Sequence, residues 1–192
     1  MRKLFLILPS FCFYIVLSQS AAQTLNLSEA ALELTDHQVT YDPSYFSIAY
    51  PNGDVPEDKG VCTDVVIRAY RKLGIDLQKE VHEDMKANFD QYPKIWGLKR
   101  TDKNIDHRRV PNLMTFFERQ GAAKSITNNA VDYLPGDIVC WNLGGATTHI
   151  GVVVSKKSPD GKRHLIVHNI GDGQVLEDCL FNFRIIGHYQ FR

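Results

Sequence analysis

The chain carries no excess charge of either sign: 22 Lys and Arg stand against 22 Asp and Glu in 192 residues. It therefore has no electrostatic reason to bind nucleic acid. Internal repeats, low-complexity tracts and Gly/Ser-rich linkers are missing too, which argues for one domain. The apolar run at 4–17 is shorter than the roughly 20 residues of a comfortable membrane span. It follows Arg2 and Lys3 and precedes the small or polar stretch 18–23, where Ser20 and Ala22 are spaced like a signal-peptidase site. Residues 1–22 are expected to be a cleaved secretory signal, leaving a periplasmic or secreted domain, 23–192, with no stable membrane span. Cys12 lies inside that run without the small residues that a lipoprotein site needs before it.

Cysteine is scarce. The mature chain keeps Cys62, Cys140 and Cys179, an odd number, so at least one is free or pairs between chains. Cys140 and Cys179 sit among apolar residues and read as small buried hydrophobes, although a bridge between them is left open.

Helical signals fill the first half and strand signals the second. Ser28 is expected to cap a helix running to about His37. Residues 41–59, with three prolines, read as loop. From Asp64, the positions Val65, Val66, Ala69, Tyr70 and Leu73 recur at helical spacing, and Gly74 supplies the stop. Further helices are expected over 77–89 and from Pro111 to just before Gly121. Strands are expected at 137–141, 150–155, 165–169 and 185–191, with Ser158-Pro159-Asp160-Gly161 as a hairpin turn. The result is an α+β domain with N-terminal helices packed on an antiparallel sheet.

Cys62 opens the best-defined of those helices. A thiol there meets unpaired N–H groups and the positive end of the helix dipole, which favour the thiolate. Two histidines follow far downstream, His149 at the head of one strand and His168 at the end of the next. A nucleophile, a base and a group that orients the base are the parts of a cysteine hydrolase.

The order of a cysteine before a helix, then PGDIVCW, then HIGVVVS, then IVHN, resembles the NlpC-type papain-like cysteine peptidases that cut bacterial cell-wall peptides. The likeness covers about residues 50–169. It implies a papain-like fold, Cys62, His149 and His168 as catalytic residues, Tyr50 beside the nucleophile, and peptidoglycan stem peptide as substrate. Val61-Cys62-Thr63-Asp64 departs from the family's DCSG pattern by placing the acid after the cysteine. Asp64 is therefore expected to touch substrate or to alter the surroundings of the thiol. Residues 81–109 have no counterpart in the core family and resemble an uncharacterised exported bacterial subfamily of the same superfamily.

Arg108 and Arg109 are expected to hold a substrate carboxylate, since guanidinium binds carboxylates bidentately. His82, Glu83 and Asp84 are consecutive, point different ways on a helix, and read as a solvated face. Trp96 and Trp141 are expected to fill the core, with a place flanking the cleft as the alternative. His164 and His168 have HxxxH spacing, but on a strand they lie roughly 13 Å apart and cannot share one metal. No cofactor or metal is implied, because thiol and imidazole suffice for the reaction. The remaining alternatives are a Cys62–His149–His168 zinc site, a catalytically silent module that binds cell-wall peptide or protein, and a thioester-forming acyltransferase.

Overall fold

Asn26, not Ser28, starts the first helix. In this computed structural model, which describes residues 26–192, the Asn26 side chain accepts from the Glu29 amide and Glu29 reaches back to the Asn26 N–H. This reciprocal box caps α1, Leu27–Leu34. Ser28 lies inside the helix, and its hydroxyl accepts from the Ser155 amide at 2.8 Å. The expected signal segment 1–22 lies outside the described residues.

The loop expected at 41–59 is bounded by two short strands, β1 (Thr40–Tyr41) and β2 (Lys59–Gly60), which pair in parallel. Next comes α2, Cys62–Lys72, with Val65, Val66, Ala69 and Tyr70 fully buried. Gly74 follows it at φ +78°, a backbone conformation that a side chain resists. α3 spans Leu77–Ala87 and α4 Val110–Arg119, with Pro111 in its first turn.

The strands are β3 (Ile138–Gly144), β4 (Thr147–Lys157), β5 (His164–His168), β6 (Val175–Glu177) and β7 (Arg184–Tyr189). They form one antiparallel sheet in the order β6-β5-β4-β3-β7. The expected turn at 158–161 joins β4 to β5, while β6 is a strand that the sequence did not announce.

Alternation along these strands builds two cores. Ile138, Cys140, Ile150, Val152, Val154 and Val167 point toward α1, α2 and α4 in the main core. Val139, Trp141, Val153, Ile166, Cys179 and Leu180 form a second core on the other face. Each fully buried aliphatic side chain contributes roughly 1.5–3 kcal/mol. The sheet thus separates Cys140 from Cys179, and all three described cysteines are free thiols. The bridge left open by the sequence does not form. Trp141 is core as expected, whereas Trp96 is 41% exposed.

Candidate active site

Cys62 sits in the first turn of α2, where the chain is pinned from three sides. The Asp64 carboxylate accepts from the Val61 N–H at 2.7 Å, closing the helix start. The Gly60 carbonyl accepts from the Asn169 side chain at 3.2 Å, tying the end of β5 to the residues before Cys62. Gly60 also has little room for a side chain, because a Cβ there would stand 3.2 Å from Asp64 Cβ.

The thiol lies at the edge of a cleft of about 220 Å³ whose wall includes Tyr41, Trp96, Arg108, Arg109 and Thr148. Only 8% of Cys62 is exposed. Burial pushes its thiol up to about 12, against the backbone N–H groups of Ile150, Thr63 and Cys62 itself, which pull it down. The helix N-terminus therefore does not deliver the resting thiolate that the sequence suggested. Desolvation outweighs the dipole.

The two histidines meet each other. Nε2 of His149 and Nδ1 of His168 are 2.7 Å apart, and Nε2 of His168 lies 3.0 Å from a Glu177 carboxylate oxygen. Glu177 can only accept, so His168 carries its proton on Nε2 and its Nδ1 accepts from His149 Nε2–H. The lone pair of neutral His149 is then on Nδ1. His149 rests against Trp141, its cross-strand partner, with ring centroids 5.7 Å apart. Burial lowers His149 to about 3 and lowers His168 as well, so both rings are neutral at pH 7.

His149 and Cys62 approach β4 from opposite faces. The thiol belongs to the main core, and the imidazole shares its face with Trp141 and Val153. The Ile150 amide that acts on the thiol belongs to the residue next to His149. Among the described residues, no hydrogen bond links Cys62 to an imidazole. The structure thus joins His149 of β4 to His168 of β5 and sets Cys62 beside the head of β4.

The expected substrate residues divide. Asp64 and Arg108 face each other in a buried bidentate pair, with Nε and Nη2 at 2.9 and 3.0 Å from the two carboxylate oxygens. Nη1 of Arg108 donates to the Ser44 carbonyl. Asp64 is occupied by this pairing and by the helix cap, so it shapes the turn that carries Cys62. Tyr50 also departs from expectation. Its ring packs edge-on against His82 at 5.3 Å and its hydroxyl donates to Glu83, away from the cleft wall.

Tyr41 occupies the position expected of Tyr50. It lines the cleft, and its hydroxyl is raised first by burial and next by the negative charge of an ionised Cys62. Arg109 lines the same cleft. Its guanidinium lies 4.1 Å over the Trp96 ring, and its buried Nη1 has no partner. The HxxxH histidines do not converge, since His164 Nδ1 bonds the Val154 carbonyl. His82, Glu83 and Asp84 reach three different neighbours, namely Asp106, Tyr50 and Arg119.

Buried neutral histidines give the stability a sign with pH. His107 and His149 are both held near 3, chiefly by burial. Below about pH 6.5 the unfolded chain takes up protons that the folded one refuses, at up to 1.4 kcal/mol per pH unit for each group. Asp106, raised by burial, opposes them in part. Stability is expected to fall as pH drops from 6.5 toward 3, and His107→Phe to flatten that fall. Urea unfolding at pH 7 and pH 4.5 checks it, and identical pH dependence in both proteins would contradict the assignment.

Residues 28–191 match the model of a family described as a domain of unknown function, DUF1287. The chain is also 49% identical over 176 residues to "Uncharacterized protein YijF" of Escherichia coli (strain K12), covering 92% of this chain and 85% of the relative.

Proposed function

Because this chain belongs to the DUF1287 family of domains of unknown function, its activity has to be argued from its own residues, and we propose that it is an exported cysteine hydrolase of papain-like fold. Its substrate would be an amide bond in the bacterial cell envelope, with peptidoglycan stem peptide the best fit. One observation carries this reading. Cys62 stands at the edge of a cleft at a helix start, next to the head of β4, whose His149 begins the His149–His168–Glu177 relay.

The chemistry follows from the proton positions. On this reading the Cys62 thiol leaves its buried resting position on the helix side of β4 as substrate binds and swings past the head of β4 to His149, whose Nδ1 takes its proton. Catalytic hydrogen bonds are often long until substrate is present. Sulfur adds to the amide carbonyl, the C–N bond breaks, and His149 returns the proton to the leaving amine. Water then hydrolyses the thioester, releasing a carboxylate and the thiol. The oxyanion takes the Cys62 backbone N–H, which has no acceptor among the described residues, and the Tyr41 hydroxyl is the second donor. Arg109, braced on Trp96, is left to receive a stem-peptide carboxylate.

A buried, un-ionised thiol without an imidazole partner also fits a module of the same fold that binds wall peptide without cutting it. Turnover separates the two readings. Reduced mature protein is expected to release a new amine and a new carboxylate from stem peptides, read by mass, and Cys62→Ala to release neither while binding them unchanged. Stem peptides bound but intact after incubation with the parent protein would favour the binding module.

A further inference from the structure

At its far end the relay gains one donor that the reaction does not use, the Cys179 thiol, beside His168 and Glu177. Cys179 Sγ lies 3.6 Å from Nε2 of His168, Glu177 Oε2 lies 3.0 Å from the same nitrogen, and all three donor atoms fall within 4.8 Å of one another. Donors around one tetrahedral zinc, with bonds of about 2.0–2.3 Å, stand about 3.3–3.6 Å apart. A thiolate, a carboxylate and a neutral imidazole also balance a divalent charge. Cys179 and His168 are buried and fixed by the second core and β5, while Glu177 reaches in from a half-open position that admits a water as fourth ligand.

We propose that His168, Glu177 and Cys179 form a site for zinc or a similar divalent transition metal, and that the ion acts as a reversible off-switch. Binding needs the lone pair of His168 Nε2, so that ring must carry its proton on Nδ1 instead. Metal-bound histidines commonly donate their other N–H, and here the acceptor is His149 Nε2 at 2.7 Å. His149 then holds its own proton on Nδ1 and has no lone pair left for Cys62. The imidazoles keep one proton each, and Cys179 gives one proton to solvent per ion bound. The switching role, unlike the site, rests on the hydrolase reading.

Cobalt(II) titration tests the site without reference to turnover. The reduced mature protein is expected to bind one ion per chain with a thiolate-to-cobalt charge-transfer band. Cys179→Ser should lose the band, bind zinc at least tenfold more weakly and keep its metal-free turnover. Glu177→Gln should keep the band while weakening zinc about tenfold, which guards against a Cys179 variant that fails to fold. A band that survives in Cys179→Ser and vanishes in Cys62→Ala would overturn the proposal, as would no binding at micromolar metal. If cobalt binds as described but zinc leaves turnover unchanged, the switch fails and the hydrolase reading stands.

Discussion

Replacing Asp64 with alanine is expected to cost about 3–5 kcal/mol of folding stability, the usual range when one partner of a buried ion pair is removed. The loss has two sources. Arg108 is left charged and buried, its Nε and Nη2 without acceptors, and the Val61 N–H loses the oxygen that caps α2. For a domain of this size the melting temperature should drop by about 6–20 °C. The double variant Asp64→Leu, Arg108→Met should recover part of this, since neither charge is then stranded. It should not recover all, because the α2 cap and the donor to Ser44 are gone. Thermal melts of the two single variants and the double variant give the coupling. A loss below about 1 kcal/mol for Asp64→Ala, typical of an exposed pair, would contradict the buried pairing described here.

On the proposed mechanism, removing His149 should have the largest effect on turnover. With Cys62 held near 12 by burial, about one thiol in 10⁵ is ionised at pH 7 without help. His149→Ala is therefore expected to lower turnover by about 10²–10⁴-fold. Its residual activity should climb about tenfold per pH unit above neutrality, as hydroxide ionises the thiol in place of the imidazole. Circular dichroism should be unchanged, because the Trp141 indole stays anchored by its hydrogen bond to the Leu180 carbonyl. A variant with near-parental turnover, or one with a flat pH profile, would remove His149 from the reaction.

Much of the frame was legible because periodicity is local. The spacing of Val65, Val66, Ala69 and Tyr70 marks α2, Gly74 marks its end, and the β-branched runs mark β4 and β5. Their adjacency brings His149 to His168. The misses come from partners distant in sequence. Asp64 and Arg108 are 44 residues apart, so nothing local reveals that each neutralises the other. Tyr41 reaches the cleft and Tyr50 does not, because the loop between β1 and β2 decides which tyrosine arrives. Hydrophobicity puts Trp96 in the core ahead of the cleft, yet it stays exposed at the cleft as a platform for Arg109. β6 is three residues long, too short for alternation to register, and it carries Glu177. The state of the thiol was misjudged for a related reason. Its helix position is local and favours ionisation, whereas its burial is tertiary and prevails.

The most direct measurement is the mass of the Cys62 peptide after mixing mature protein with stem peptide and quenching in acid during the first turnovers. The expected product is an acyl adduct equal to the N-terminal fragment of the substrate, joined through a thioester that hydroxylamine removes, and absent from Cys62→Ala. Product release with no adduct on Cys62, or an adduct that persists in Cys62→Ala, would contradict it.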